Sequence, residues 1–208
     1  MANELSEQKA ALRSQVRAAI KNLTPAARAG AAARARSLLQ QQMIWNQARS
    51  VLFFAPLPDE LDIWPLLQES LATGKTVALP RFSPFNNNYA ACRIRDLRAD
   101  VQTGKFGIRE PADTCEPLLQ GGPDLVLVPG IAFDWQGRRL GRGQGFYDKL
   151  LSTARGAKCA VAFDEQIVAE VPVEPHDIRV GYILTPTRWV EVHGGRKAVT
   201  APSKPPPR

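Results

Sequence analysis

Short apolar runs alternate along this chain with segments of helical spacing, and this alternation constrains the fold more than any other feature. Residues 50–57, 76–80 and 124–128 are near-continuous apolar runs closed by prolines, a pattern typical of buried strands. Residues 63–73 and 146–154 have helical spacing, and further strands are predicted at 89–94, 157–163 and 181–185, with a short helix at 165–169. We therefore predict a single three-layer α/β domain with a mostly parallel, Rossmann-like sheet covered by helices on both faces.

Two helices are predicted ahead of the first strand, and we expect them to pack on the sheet. The first spans residues 4–21. The second runs from Thr24-Pro25 to about residue 42, with Thr as N-cap and Pro in the first helical turn. Lys9, Arg13 and Arg17 recur every four residues and share one face of the first helix. From the residues alone, a solvated basic face is the simpler interpretation.

Composition and the distribution of charge argue against a nucleic-acid-binding protein and against a membrane protein. The net charge of +7 is concentrated at the two ends, with +6 in the first 50 residues and +4 from residue 194 onward. The body between is slightly acidic, which disfavours nucleic-acid binding. No apolar run is long enough for a membrane helix, and three widely spaced cysteines without a signal peptide favour the cytoplasm. We predict one domain over residues 1–193 and a disordered basic tail over 194–208.

A glycine-rich stretch follows one predicted buried strand and leads into a predicted helix. It reads Arg138-Arg139-Leu140-Gly141-Arg142-Gly143-Gln144-Gly145-Phe146-Tyr147-Asp148. Glycines let backbone N–H groups approach a phosphate, a helix N-terminus adds partial positive charge, and arginines supply planar charged donors. The spacing matches neither G-x-x-x-x-G-K-[ST] nor G-x-G-x-x-G. A glycine-rich surface turn with basic neighbours therefore remains the competing interpretation.

Glu60 is a second candidate site residue. It follows the strand predicted at 50–57, and open α/β sheets place ligand-binding groups at the carboxyl ends of their strands. A carboxylate at this point could equally cap the helix that follows. The residues alone leave these two roles open.

The glycine-rich stretch and its neighbours together resemble the signature of the 5-formyltetrahydrofolate cyclo-ligases, also called methenyltetrahydrofolate synthetases. The other segments that carry the resemblance are Lys9-x-x-x-Arg13, Pro58-x-Glu60, Leu79-Pro80-Arg81, Phe106-Gly-Ile-x-Glu-Pro111, Val128-Pro-Gly-Ile-Ala-Phe-Asp134 and Val171-Pro-Val-Glu-Pro-His-Asp177. The glycine motif is specific, whereas the other pieces gain weight from their shared order. The resemblance implies a fold similar to that of the sugar-phosphate isomerases and CoA-transferases.

The reaction implied by the resemblance is an ATP- and Mg²⁺-dependent cyclisation of 5-formyltetrahydrofolate. The formyl oxygen takes the γ-phosphoryl group, N10 attacks the formyl carbon, and loss of phosphate leaves 5,10-methenyltetrahydrofolate with ADP. Positioning and charge neutralisation would supply most of the catalysis.

Site residues are carried over from the family's pattern. Lys9 and Arg142 are the expected catalytic cations, Asp148 the magnesium ligand, and Glu60 the glutamate that binds the pterin of the folate. The residues expected to bind ATP are Lys9, Arg13, Arg139, Leu140, Gly141, Arg142, Gly143, Gln144, Gly145, Phe146 and Tyr147. Those expected to border the folate are Arg13, Glu60, Phe106, Arg142, Gly143, Gln144, Gly145 and Phe146.

The chain departs from the family's pattern at two positions. Gly181 stands where many relatives carry a second magnesium-associated acid, so that Asp177 or water would have to complete the shell. Phe146 replaces a commoner tyrosine. Two alternatives stay open: a sugar-phosphate isomerase or CoA-transferase-like enzyme, which would have no use for the Lys9 and Arg13 pair, and a nucleotide-binding module that has lost catalysis. We expect a monomer.

Overall fold

The computed structural model of the protein describes residues 2–85, 88–104, 107–118, 122–143, 145–174 and 177–192. Within these ranges the first half contains α1 (Ala2–Lys21), α2 (Pro25–Gln40), α3 (Met43–Gln47), β1 (Ser50–Leu52), α4 (Trp64–Ala72), β2 (Thr76–Ser83) and β3 (Asn88–Ile94). The second half contains β4 (Val101–Thr103), β5 (Arg109–Pro111), β6 (Leu125–Val128), β7 (Ala132–Phe133), β8 (Arg139–Leu140), α5 (Phe146–Thr153), β9 (Ala157–Val161), a 3₁₀ helix (Asp164–Gln166), β10 (Tyr182–Leu184) and β11 (Trp189–Glu191).

Seven strands form the central sheet in the order β11-β10-β9-β6-β1-β2-β3. The five inner strands pair in parallel, while β3 and β11 lie antiparallel at the two edges. Two small antiparallel hairpins, β4–β5 and β7–β8, stand apart from this sheet. The predicted mostly parallel α/β sheet is confirmed.

Both faces of the sheet are covered. Because successive strand residues point to opposite faces, Val51 and Leu127 join one core cluster, which also contains buried residues of α1, α2, α3 and α4. Leu52 and Val126 join a second cluster, built with α5 through Leu150 and Leu151. The result is the predicted three-layer arrangement, with the N-terminal helices packed on one face.

Local sequence signals explain the helix boundaries. Thr24 caps α2 by accepting a hydrogen bond from the N–H of Ala27 at 3.2 Å, and Pro25 occupies the first turn, as predicted. On α1, Val16 and Ile20 are buried and hold the helix against the core.

Among the described residues, no helix has the length and apolar character needed to span a membrane.

Several predicted boundaries were wrong. The strand predicted at 50–57 ends as β1 at Leu52, and the chain then leaves the ladder toward a turn at 58–60. The helix predicted at 165–169 is instead a 3₁₀ helix, Asp164–Gln166, closed by a hydrogen bond from the Phe163 N–H to the Gln166 side chain. Helix α3 and strands β4, β5, β7, β8 and β11 were not predicted, because two to five residues are too short to show a period. The boundary at residue 193 and the tail lie outside the described residues.

A buried carboxylate joins the β7–β8 hairpin to the segment that follows the 3₁₀ helix. Asp134 is fully buried and accepts hydrogen bonds from the backbone N–H groups of Gln136, Arg138 and Val171. Its Oδ2 also receives the Arg138 Nε at 2.5 Å, and Arg138 reaches on to Glu170 at 2.7 Å. This network holds two walls of the candidate site against each other.

Candidate active site

A cavity of about 650 Å³ lies beside the carboxyl ends of β1 and β6 and beneath the glycine-rich stretch. Its lining contains nearly every described residue predicted for the site: Lys9, Arg13, Glu60, Arg139, Leu140, Gly141, Arg142, Gly143, Gly145, Tyr147 and Asp148. The structure therefore brings together side chains from α1, the turn after β1, and the segment from β8 to α5.

The glycine-rich stretch needs its glycines for backbone shape. Gly143 and Gly145 have φ values of 99° and 68°, in the left-handed region that side chains disfavour, and Gly145 stands immediately before α5. The side chain of Arg13 crosses to this stretch, where its Nε donates to the Gly141 carbonyl at 2.9 Å. Helix α1 is thus docked on the loop, and the alternative of a solvated face is wrong for Lys9 and Arg13, whereas Arg17 is exposed.

Lys9 is held by two carboxylates from the far end of the chain. Its Nζ lies 2.8 Å from Glu174 Oε2 and 3.3 Å from Asp177 Oδ2. Burial lowers the pKa of Lys9, but the hydrogen bonds and charges of these two acids outweigh it and leave the pKa raised. Lys9 therefore stays protonated, and it lines the cavity together with both acids.

Arg13 differs from the neighbouring cations. Within the described residues it forms no ion pair, and its single side-chain hydrogen bond goes to the Gly141 carbonyl. Burial, with the charge of Arg17 adding, lowers the pKa of Arg13. A Cβ on Gly143 would lie 3.6 Å from the Arg13 Nη2, so this guanidinium sits directly against the loop backbone. Its remaining N–H groups can meet an anion there.

Glu60 is a buried carboxylate that faces an arginine of the glycine-rich stretch. Its side chain is 7% exposed, Oε1 receives Arg142 Nη2 at 3.0 Å, and Oε2 accepts the Leu57 N–H at 3.0 Å. Burial raises the pKa of Glu60, against the lowering effects of the Leu57 and Arg142 contacts. Asp59 receives the same Arg142 Nη2 at 2.6 Å. The capping alternative is wrong, because Asp62 rather than Glu60 accepts the first helical N–H, from Trp64.

Asp148 pairs with the most buried cation of the cavity. Arg139, 4% exposed, places Nη2 2.5 Å from Asp148 Oδ1, and its Nε is buried with no hydrogen-bond partner among the described residues. The adjacent Tyr147 lies 6.4 Å from the ring of Tyr89, and burial, with the charge of Glu60 adding, raises the pKa of its phenol well above the ordinary value. The lining of the cavity thus combines two tyrosines with a paired arginine.

The oxygen donors of the cavity can be compared with those that Mg²⁺ requires. No group of three metal-binding side chains occurs within the described part of the chain, so an all-protein magnesium cage is not formed by these residues. Asp148 nevertheless offers a hard oxygen in the same cavity as Lys9 and Arg13. One carboxylate beside substrate phosphates and water is a common way to hold Mg²⁺, and the donor set fits that mode. Gly181 does not line the cavity, and a Cβ there would meet only the Lys158 carbonyl at 3.9 Å.

The remaining predicted residues lie partly or wholly outside the described structure. Gln144 and Phe106 are outside the described residues, and for Phe146 only the backbone, at the start of α5, is described. Conversely, the sequence did not single out several lining residues, namely Tyr89, Arg109, Glu110 and Glu174. Glu110 and Glu174 stand inside segments that carried the family resemblance, which was the only available signal for them.

Comparisons with known proteins point to one family. A family model described as the 5-formyltetrahydrofolate cyclo-ligase family matches residues 5–186. A 5-formyltetrahydrofolate cyclo-ligase of Mycolicibacterium smegmatis is 34% identical over 86% of this chain and 95% of its own length. One from Escherichia coli K12 is 32% identical over 68% of this chain and 80% of its own.

Two solved structures are similar to this chain in fold. The structure of Aquifex aeolicus 5,10-methenyltetrahydrofolate synthetase is similar with a TM-score of 0.81 at 31% identity, covering 91% of this chain and 95% of that chain. The Mycoplasma pneumoniae 5,10-methenyltetrahydrofolate synthetase shares the fold, with a TM-score of 0.67 at 17% identity, covering 86% of this chain and 98% of that chain.

Proposed function

This chain belongs to the 5-formyltetrahydrofolate cyclo-ligase family, and we propose that it catalyses the ATP-dependent cyclisation of 5-formyltetrahydrofolate to 5,10-methenyltetrahydrofolate, with release of ADP and phosphate. The observation that carries this proposal is the joining of two recognition elements in one cavity. A basic, glycine-rich phosphate loop and a buried carboxylate, Glu60, are linked by a single side chain, Arg142.

The phosphate end of the cavity is assigned to α1 and the loop. Lys9, Arg13 and the loop from Arg139 to Tyr147 would bind the triphosphate of ATP, with Gly143 and Gly145 allowing close approach of backbone N–H groups. Arg13 supports this assignment because its guanidinium lies against the loop without an ion-pair partner among the described residues. Lys9 would exchange a carboxylate partner for a phosphate oxygen.

The folate end of the cavity is assigned to Glu60. A carboxylate is a suitable acceptor for the neighbouring N–H groups of a pterin ring, because two charge-assisted hydrogen bonds fix the ring's orientation. Burial of Glu60 strengthens such bonds by excluding water. Tyr89 and Tyr147 supply aromatic surface in the same cavity.

In the proposed reaction the formyl oxygen attacks the γ-phosphorus, and the bond to the leaving ADP oxygen breaks. N10 then attacks the formyl carbon and loses its proton, and the carbon–oxygen bond breaks as phosphate departs. Lys9 and Arg142 would neutralise charge on the transferring phosphoryl group, which is the main catalytic need in phosphoryl transfer. Mg²⁺, held by Asp148, would shield the polyphosphate charge.

Further parts of the proposal concern the state of the protein in the cell. We propose that the protein is a monomer and that it is cytoplasmic. A reducing compartment is consistent with Cys92, Cys115 and Cys159, which are all buried and free. The isomerase-like or transferase-like alternative gains no support, because such a site has no use for Lys9 and Arg13, yet both line the cavity. A nucleotide-binding module that has lost catalysis would keep both cations, and turnover distinguishes it from the proposed enzyme.

Absorbance of the methenyl product tests the proposal directly. The purified protein, mixed with 5-formyltetrahydrofolate, should generate the long-wavelength band of 5,10-methenyltetrahydrofolate only when ATP and Mg²⁺ are both present. Release of ADP and phosphate should match product formation one to one. Absence of ATP-dependent product at high protein concentration would refute the assignment.

A further inference from the structure

The cations that line the cavity fall into two groups. Lys9, Arg139 and Arg142 each pair with at least one carboxylate, as described above. Arg13 and Arg109 also line the cavity, but neither forms an ion pair within the described part of the chain. An anionic ligand displaces no ion-paired carboxylate of the described residues at these two guanidinium groups, although the charge of Asp62 acts on Arg109.

Arg109 is held in a defined orientation by an aromatic ring. Its Cζ lies 3.5 Å from the centroid of the Trp64 ring, so the guanidinium covers the indole face. Trp64 is itself fixed, because it begins α4, donates its backbone N–H to Asp62 Oδ1 at 3.0 Å and packs against the core. Stacking fixes the plane of the guanidinium while its N–H edges stay available for a planar acceptor.

The position of Arg109 associates it with the folate end. Trp64 follows Glu60 by only four residues in the segment between β1 and α4. Arg13, by contrast, is bonded to Gly141 in the glycine-rich stretch and serves the phosphate end. The two guanidinium groups without ion pairs therefore belong to different parts of the cavity, and each can receive a different anion.

We propose that Arg109, stacked on Trp64, binds a carboxylate of the glutamate tail of the folate substrate. This inference rests on the proposed function, which supplies the folate. The pterin and benzoyl parts of a folate are uncharged, so its glutamate carboxylates are the anionic groups that it brings to the site. Guanidinium and carboxylate groups match in a planar, two-bond geometry, which gives both attraction and direction.

Equilibrium binding without ATP isolates this contact from turnover. The dissociation constant of 5-formyltetrahydrofolate is measured by calorimetry and compared with that of its diester, in which both glutamate carboxylates are blocked. Wild-type protein should bind the diester about tenfold more weakly, as expected for loss of a partly exposed charge-assisted hydrogen bond. Arg109→Ala should weaken binding of the acid by a similar factor and leave diester binding unchanged.

Two further variants control the experiment. Arg98→Ala removes an exposed arginine that does not line the cavity and should leave both dissociation constants within about twofold. Arg109→Lys keeps the charge but loses the planar fork, and should weaken acid binding by about threefold or more.

The outcomes separate this inference from the proposed function. Equal affinity of wild-type protein for acid and diester, or an equal loss for both ligands in Arg109→Ala, would overturn the carboxylate assignment. Full affinity in Arg109→Lys would overturn the role of the stacked geometry. Failure of the proposed function shows up separately, as absence of ATP-dependent methenyl product from the wild-type protein.

Discussion

Replacement of Glu60 by glutamine tests the folate assignment most sharply, because the two side chains have nearly the same shape. The glutamine oxygen can still accept the Leu57 N–H, but the charge that faces Arg142 and the proposed pterin is lost. Hydrogen bonds to charged groups contribute about 1.5–3 kcal/mol, so the dissociation constant for 5-formyltetrahydrofolate should rise about 10- to 100-fold. The KM for ATP should change much less.

Asp59→Asn provides a matched control for this variant. Asp59 contacts the same Arg142 nitrogen at 2.6 Å, yet it is 33% exposed and does not line the cavity. Its loss should change folate affinity by about twofold or less, as for other exposed ion pairs. Calorimetric titration of both variants without ATP distinguishes the cases. If Asp59→Asn weakens folate binding as much as Glu60→Gln, the effect acts through Arg142 and the pterin assignment is wrong.

The thermal stability of Glu60→Gln, unlike its folate affinity, should rise relative to wild type as pH increases. Burial raises the folded-state pKa of Glu60 above its ordinary value of 4.5, so the native state binds the proton more tightly than the unfolded state does. The stability that this group contributes is present below pH 4.5 and is lost as pH rises through the raised pKa. Glutamine does not titrate. The Tm of Glu60→Gln relative to wild type should therefore increase across that pH window, and a falling difference would contradict the argument.

Three other variants probe separate parts of the site. Arg13→Ala should raise the KM for ATP about tenfold. Arg17 is exposed on the same helix, and Arg17→Ala should leave this KM within about twofold. Equal effects of the two substitutions would refute a direct phosphate contact of Arg13. Asp148→Asn should raise the Mg²⁺ concentration for half-maximal activity and also lower the Tm, because buried Arg139 loses the negative charge that it faces; a lower Tm alone would make Asp148 structural. Asp134→Ala should lower the free energy of unfolding by about 3–5 kcal/mol in denaturant titrations, and a loss below about 1 kcal/mol would contradict its bridging role.

The sheet could be predicted from sequence because its signal is local. The run at 124–128 became β6, buried at every position. The run at 50–57 gave β1 beside it, and the run at 76–80 gave β2 on the other side of β1. The strand at 50–57 was predicted too long because apolar residues continue past Leu52 to line the cavity and core, and burial alone does not distinguish a ladder strand from a buried extended segment.

The site could be predicted only in part. The four-residue spacing placed Lys9 and Arg13 on one helix face, but it did not reveal what that face contacts. Only the family resemblance predicted that these two cations bind a phosphate. The partners of Lys9 lie 165 and 168 residues away, so no local pattern links them. The stack of Arg109 on Trp64 likewise joins two elements that are distant in sequence, and it became visible only in three dimensions.

Arg142 belongs to the glycine-rich stretch and also contacts Glu60, and this double role has a thermodynamic consequence. One guanidinium from the glycine-rich stretch contacts the carboxylate that we assign to the pterin. A phosphate that draws Arg142 away from Glu60 would alter the negative charge presented to the folate, and a bound folate would alter the hold on Arg142. The two binding equilibria are then coupled, and linkage requires each substrate to change the affinity for the other by the same factor.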